Sequence, residues 1–291
     1  MLDSNGSGSR GVEADELPYE RQLRRIEARS RLFEPLTEQL FRQSGLDTGM
    51  RVLDVGCGSG DVAFLASRIV GPGGVVVGID SSATAIAAAE RRARESGVTN
   101  ITFQHADLDR YAGEQFDAVV GRFVLMHQAD PVATVWRLAS LVRDGGVLAF
   151  QEFDFTQPPL VRPELKPFVD AGHWIAAALA GLGFDVGMGM RLHQTFRTAG
   201  LARPTMIVGA AVECGADGAV CELIGDTIRD LFEPICDLGI ATPDEISIDS
   251  LMGRLRQAAL ETDAIVGSPL VVSAWSRVTR RPTGRIPISD D

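Results

Sequence analysis

Three acidic residues and a run of glycines are the features of this 291-residue chain best suited to chemistry. Asp54 lies in the apolar run RVLDVG, which leads straight into Gly56-Cys57-Gly58-Ser59-Gly60-Asp61. Glycine between a strand and a helix costs backbone entropy, so its use there implies that something approaches the chain too closely for side chains. Such a turn exposes the N–H groups of the following helix to a ligand. In the dinucleotide fingerprint G-x-G-x-x-G the third glycine falls at position 61, where this chain has Asp. An aspartate is a poor neighbour for a pyrophosphate, and a ligand with a carboxylate and an ammonium tolerates it better. Asp80 ends the next β-rich run, GVVVGID, about twenty residues beyond Gly60, the interval at which an acidic side chain grips ribose hydroxyls. A helix N-cap is the other role open to it, and Ser81 or Ser82 supplies that equally well. The third run, NITFQHAD, ends at Asp107-Leu108. A carboxylate there can accept a hydrogen bond from an adenine amino group, while Leu108 offers backbone and apolar surface. Together the three acids line the carboxyl edge of one sheet, where open α/β sheets bind ligands.

Periodicity places these residues on elements. From Arg51 to Phe153 the runs RVLDVG, GVVVGID, NITFQHAD, FDAVVGRF and GVLAFQEF alternate with helical patterns at Asp61–Ile69, Ala83–Ser96 and Pro131–Leu141. That alternation predicts parallel strands with helices on both faces. Upstream, Leu23, Ile26, Leu32, Phe33, Leu36, Leu40 and Phe41 recur mostly at helical spacings, with Pro35 expected to divide two helices. Beyond Thr156 the pattern changes. Pro158, Pro159, Pro163 and Pro167 lead into helical patterns near Phe168–Leu182, Leu192–Ala199, Ala219–Leu238 and Ile248–Thr262. Two strand-like runs, PTMIVGAAVEC and PLVVSAWSRV, are expected as edge strands of the sheet, and the helical insertions as a cap that shapes a substrate pocket.

Composition narrows the function classes. A net charge of −11 argues against broad nucleic-acid binding, which needs a basic surface. The four cysteines show no CxxC spacing and no partner histidines at zinc-site intervals, so no metal is expected. The N-terminus is polar, and the longest apolar stretch, about residues 171–184, is broken by glycines and carries His173. No membrane span and a cytoplasmic location are expected.

The segments VLDVGCGSGD (52–61), VVGID (76–80), ADL (106–108), FDAVVGRFVLMHQADP (116–131) and LVRDGGVLAF (141–150) resemble the class I S-adenosylmethionine (SAM)-dependent methyltransferases. The likeness is greatest to their UbiE-like small-molecule branch, and it covers about residues 19–153. It implies a Rossmann-like α/β fold with a seven-stranded, mostly parallel sheet and one antiparallel strand near the edge. It also implies SAM as cofactor and S-adenosylhomocysteine as product. By this likeness Asp54, Gly56, Cys57 and Gly58 serve the methionine end, Asp80 the ribose with Ser81 beside it, and Asp107 with Leu108 the adenine. Arg122 falls beside the methionine moiety and the acceptor. Tyr19 and Arg24 resemble a flap that closes over the cofactor. The expected organisation is a disordered segment over 1–18, a helical flap over 19–48, a SAM-binding core over 49–155, a cap with the last two strands over 156–280, and a flexible tail over 281–291.

Methyl transfer is an in-line displacement that gains most from holding nucleophile and methyl about 3–3.5 Å apart in a water-poor pocket. His127, Tyr19 and Arg122 are the candidate catalytic residues, and Tyr19, Arg24, Phe155, His173, Trp174 and Met190 the candidate acceptor contacts. The expected reaction is methylation of a small aromatic or heterocyclic metabolite, with C-methylation such as at indole C3 as a narrower expectation. The expected partners are that acceptor and, at most, a second copy in a homodimer. Two alternatives stand beside this reading. An NAD(P)-dependent oxidoreductase is opposed by Asp61 and by the presence of only two tyrosines. A SAM-binding regulator without catalysis has the same cofactor motifs.

Overall fold

Adjacent residues of a strand point to opposite faces, and the apolar runs of this chain use both. In the computed structural model, which describes residues 32–108, 110–214 and 218–279, Val52, Val76, Ala118 and Val120 face one helical layer. That layer comprises α1 (residues 32–44), α2 (Asp61–Val70) and α3 (Ala83–Ser96). Leu53, Val55, Val77 and Ile79 face the other layer, built from α4 (Pro131–Ser140) and α6 (Met188–Thr198). The strands between the layers are β1 (Arg51–Val55), β2 (Val75–Asp80), β3 (Ile101–His105), β4 (Phe116–Arg122), β5 (Val142–Asp154), β7 (Thr205–Gly209) and β10 (Leu270–Arg277). They form one sheet in the order β3-β2-β1-β4-β5-β10-β7, parallel throughout except for β10. This is the expected seven-stranded sheet with one antiparallel strand near its edge.

Several expectations about the remaining elements change. The helix over 32–44 runs through Pro35 without ending there, and the Thr37 hydroxyl donates to the Phe33 carbonyl at 2.8 Å within it. Proline removes only its own N–H, which one helical turn can tolerate when its apolar face is buried as Phe33, Leu40 and Phe41 are. β10 is an interior strand rather than an edge, because β7 pairs with its outer side. The run PTMIVGAAVEC is two strands: β7 joins the large sheet, whereas β8 (Val212–Cys214) joins a second, three-stranded sheet. That second sheet, in the order β6-β9-β8 with β6 (Val161–Arg162) and β9 (Ile265–Gly267), has no counterpart in the sequence reading. The helix expected over Ala219–Leu238 is divided at Leu231 into α7 (Ala219–Asp230) and α8 (Phe232–Asp237).

The second sheet and the helices α5 (Lys166–Gly181), α7, α8 and α10 (Ile248–Thr262) share a core of their own, containing Phe168, Ile175, Ile228, Ile235, Leu255 and Val266. A one-turn helix, α9 (Pro243–Ile246), with a Thr242–Glu245 capping box, precedes α10. Leu32 and Phe33 of α1 pack into this same core, so α1 spans both parts of the molecule. Among the described residues no helix is long and apolar enough to cross a membrane.

Candidate functional site

The glycine turn resolves into two physical requirements. Gly56, Gly58 and Gly60 all have positive φ (63°, 52° and 94°), where side chains are strained. A Cβ on Gly56 would lie 2.7 Å from Cγ2 of Val124, so this position is closed by packing. A Cβ on Gly58 would meet nothing within 4 Å. Gly58 is thus the place where the turn is open to a ligand. The turn is pinned from both sides, by the Cys57 N–H to Ile79 O at 3.0 Å and the Gly60 N–H to Cys57 O at 2.8 Å.

Parallel pairing carries the three acids to one edge. Asp54 pairs with Gly78, and Asp80 with His105, so the ends of β1, β2 and β3 step across the sheet toward Asp107. Their environments differ sharply. Asp54 is buried, and neither of its carboxylate oxygens has a hydrogen-bond partner. Burial pushes its carboxyl well above the usual range, against a smaller lowering by the Arg122 guanidinium and the nearby Ala63 N–H. Asp61 and Asp80 act on it as well, which shows that these carboxylates converge. Asp80 accepts from the Gly58 N–H at 2.9 Å and the Ser82 N–H at 2.8 Å. The cap of α3 comes from Ser82, whose Oγ accepts from Ala85 N, so Asp80 is not needed for it. Ser81 presents its carbonyl to the His105 ring at 3.0 Å. Asp107 is exposed beside Arg110 at 3.9 Å, and Leu108 packs partly against the core. The Cys57 thiol is held protonated by burial and by the fields of Asp54 and Asp80.

Asp61, which breaks the dinucleotide fingerprint, joins two arginines. Arg92 of α3 donates to Asp61 Oδ1 at 2.9 Å and to the Ser59 carbonyl at 2.5 Å, clamping the far side of the turn. Arg122, at the end of β4, lies 3.7 Å from Asp61 Oδ2 and donates to Thr37 Oγ1 at 3.2 Å. Thr37 Oγ1 also lies 2.8 Å from Gln151 Oε1, so that its one hydroxyl proton is shared between Gln151 and the Phe33 carbonyl. Gln151 Nε2 donates to Ser273 Oγ, forming a buried polar chain from α1 to β10.

Next to Arg122 begins an aromatic group that periodicity did not single out as a unit. Phe123 has φ of +59°, a conformation that bulky side chains rarely adopt. Its ring stacks on Phe153 with centroids 3.7 Å apart and planes 6° from parallel. Phe33 meets both rings edge-on at 5.3 Å, and Phe155 lies 5.3 Å from Phe153. Phe153 and Phe155 touch the core of the large sheet and that of the cap alike. The other proposed acceptor contacts are dispersed. Trp174 packs partly into the cap core, His173 is exposed on α5, and Met190 is 59 % exposed at the start of α6. His127 closes the single 3-10 turn Leu125–His127, its ring edge-on to Phe184 at 4.8 Å. Partial burial there lowers its pKa, although the residue as a whole stays exposed by area. Tyr19 and Arg24 lie outside the described residues.

Glu152 was missed altogether. Its buried carboxylate accepts from the N–H groups of Val124 (2.9 Å), Leu125 (2.7 Å) and Met126 (3.4 Å). Burial pushes its pKa up to about 7, with Asp185 adding to the rise and the three amides opposing it. The available signal was a charged residue inside the otherwise apolar run GVLAFQEF, since a carboxylate is almost never fully buried without partners.

A sequence profile described as a methyltransferase domain matches residues 46–179. Residues 46–179 are a methyltransferase domain. The domain is of the class I, SAM-dependent type, and the seven-stranded, mostly parallel sheet fits that class. Among curated relatives, the aklanonic acid methyltransferase DauC of Streptomyces sp. (strain C5) is 34 % identical over 141 residues, 47 % of this chain and 64 % of that protein. The ubiquinone/menaquinone biosynthesis C-methyltransferase UbiE of Bdellovibrio bacteriovorus is 34 % identical over 125 residues, 42 % of this chain and 52 % of that protein. The chain therefore spans between about half and two thirds of the length of these relatives. A solved phosphoethanolamine N-methyltransferase 2 of Haemonchus contortus superposes with a TM-score of 0.55 at 17 % identity, covering 91 % of this chain and 59 % of that one, a likeness of fold. The methyltransferase-domain residues fit SAM by their own chemistry. A buried carboxylate without partners suits a cationic amino-acid group, and the opening at Gly58 gives access to the backbone.

Proposed function

We propose that this chain transfers the methyl group of SAM to a small, planar aromatic or heterocyclic acceptor. The observation that carries the proposal is the unpartnered, buried Asp54 carboxylate beside a glycine turn that is open at Gly58. When bound, SAM supplies an electrophilic methyl group on a sulfonium, which leaves as the neutral thioether S-adenosylhomocysteine. In this reading Asp54, with Gly56, Cys57 and Gly58, holds the methionine end, Asp80 with Ser81 the ribose, and Asp107 with Leu108 the adenine. Arg122 fixes the turn through Asp61 and balances the charge of the acids around it. The half-buried Phe123, Phe153 and Phe155 rings, with the buried Phe33 packed edge-on against the first two, offer an apolar wall, which excludes water and favours aromatic contact with a planar acceptor. His127 has its pKa lowered, is neutral at pH 7, and is the residue proposed to take up an acceptor proton at a ring nitrogen.

Relatives named for aklanonic acid methylation and for C-methylation in ubiquinone and menaquinone biosynthesis support a quinone-like ring or a related natural product as the acceptor. Methylation at an aromatic carbon, indole C3 included, is the narrower form of the proposal. The test is incubation with methyl-labelled SAM and a panel of hydroxynaphthoquinones, phenols and indoles, with mass spectrometry of the products. Label in one ring class supports the reading. S-adenosylhomocysteine failing to bind in calorimetry while NAD(P)H binds would overturn it.

A further inference from the structure

We propose that Glu152 is a positioning residue that holds the segment Phe123–Met126 in place, and through it sets both the cofactor turn and the aromatic wall. The proposal rests on the reading of the glycine turn as the SAM site. It starts from a local oddity: directly after β4 the chain enters a left-handed residue, Phe123, and the next three residues turn their N–H groups inward together. A phenylalanine in that conformation persists only when its surroundings hold it. Here β5 supplies the hold. The Phe123 N–H donates to the Gln151 carbonyl at 2.7 Å, the next three N–H groups converge on the Glu152 carboxylate, and the Phe123 ring stacks on Phe153. Three consecutive residues of one strand therefore fix four consecutive residues of the loop.

The consequence reaches the site in two directions. Val124 is the side chain that closes Gly56, with its Cγ2 only 2.7 Å from where a Cβ would be. A shift of Val124 therefore moves against the first glycine of the turn. Phe123 faces the other way, into the rings of Phe33 and Phe153. The far end of the segment is tied to the cap side by the Asp185 N–H, which donates to the Met126 carbonyl at 3.1 Å. A neutral carboxamide cannot replace this carboxylate, because its NH2 group would meet an N–H donor where the second oxygen accepts one. Glu152 itself is fully buried, so it acts through Val124 and Phe123 and not by touching a ligand.

Glu152→Gln and Val124→Ala test the idea, with S-adenosylhomocysteine as the probe in calorimetry, thermal melting as the fold control, and kcat and KM for an identified acceptor. Glu152→Gln is expected to weaken S-adenosylhomocysteine binding about 5–20-fold and to raise the acceptor KM, while the melting transition stays cooperative. Val124→Ala, which leaves Glu152 in place, is expected to weaken the same binding about 3–5-fold. The double variant is expected to be no weaker than Glu152→Gln alone, because both act on one path. Full additivity of the two effects, or a lowered melting temperature in Glu152→Gln with affinity and KM within twofold of the parent, overturns the proposal. If Glu152→Gln does not fold, unchanged affinity in Val124→Ala overturns it as well. A parent protein that does not bind S-adenosylhomocysteine sinks the SAM reading itself, an outcome distinct from a parent that binds and variants that match it.

Discussion

The proposed cofactor edge and the cap meet at the same aromatic rings but are built in opposite ways. At that edge, Asp54, Asp80 and Asp107 lie at or just beyond the carboxyl ends of β1, β2 and β3, and each lies within a contiguous stretch of chain that also forms the adjoining turn. In the cap, β6, β9 and β8 pair across segments about 50 to 100 residues apart, and the helices between them pack on one another. The cofactor edge is polar, with converging carboxylates and two bridging arginines, whereas the cap side offers rings and aliphatic surface. In the function proposed above, the first region holds the charged cofactor and the second faces an apolar acceptor. Substitutions should therefore separate cofactor affinity from acceptor affinity.

The largest effect is expected for Asp80→Ala. It removes a charged acceptor, together with the anchor of the Gly58 N–H, and charged hydrogen bonds are worth about 1.5–3 kcal/mol. S-adenosylhomocysteine affinity should fall about 10–150-fold with acceptor KM little changed, as read by calorimetry and steady-state kinetics. Unchanged affinity in a folded variant removes Asp80 from the cofactor site. Gly58→Ala comes next. The free protein has room for the methyl group, so stability should drop only by the strain of a left-handed residue, about 1–2 kcal/mol. Ligand binding should weaken more, by about 5–100-fold, because the methyl occupies contact space. Equal losses in chemical denaturation and in binding would mean that Gly58 is open for reasons unrelated to a ligand.

A third prediction concerns protons. The raised pKa of Asp54 keeps its carboxyl protonated to higher pH in the free protein, whereas a cationic ligand favours the ionised form. Binding should then release a proton. Affinity should rise with pH, by at most about tenfold per unit, until the pH passes the free-state pKa. Calorimetry of S-adenosylhomocysteine in two buffers of different ionisation enthalpy measures the released proton, and Asp54→Asn should abolish it. Equal heats in both buffers would refute the link. The smallest effect is expected on the cap side: Phe155→Ala should raise acceptor KM by about 2–10-fold, the worth of one aromatic pair, and leave cofactor affinity within twofold. A cofactor defect of equal size would erase the distinction between the two regions.

The same division governs what could be read from residue order. The strand–turn–helix geometry of the glycine turn was readable because β1, the glycines and α2 are contiguous, and the interval to Asp80 is set by one helix and one strand. Parallel strands flanked by helices followed from the alternation of β-rich and helical runs, and the seven strands with one antiparallel member from the family resemblance. The cap was read as helices and two edge strands, yet β6 is two residues long and β9 three, too short to show periodicity. The division of PTMIVGAAVEC between two sheets is also invisible locally, since both halves are equally β-prone.

By itself, the sequence determined the fold class, through the alternation of strands and helices, and the chemical type of the cofactor, through contiguous motifs that resemble a known family, because both are carried by residues a few turns apart. Only tertiary structure decided which of the four central carboxylates is an orphan, which is an anchor and which bridges arginines. Asp54, Asp61, Asp80 and Glu152 are one chemical type, and their roles diverge through burial and partners contributed by distant strands. Glu152 makes the case most directly. Its partners are 26 to 28 residues away along the chain, and only the pairing of β4 with β5 brings them within hydrogen-bonding distance.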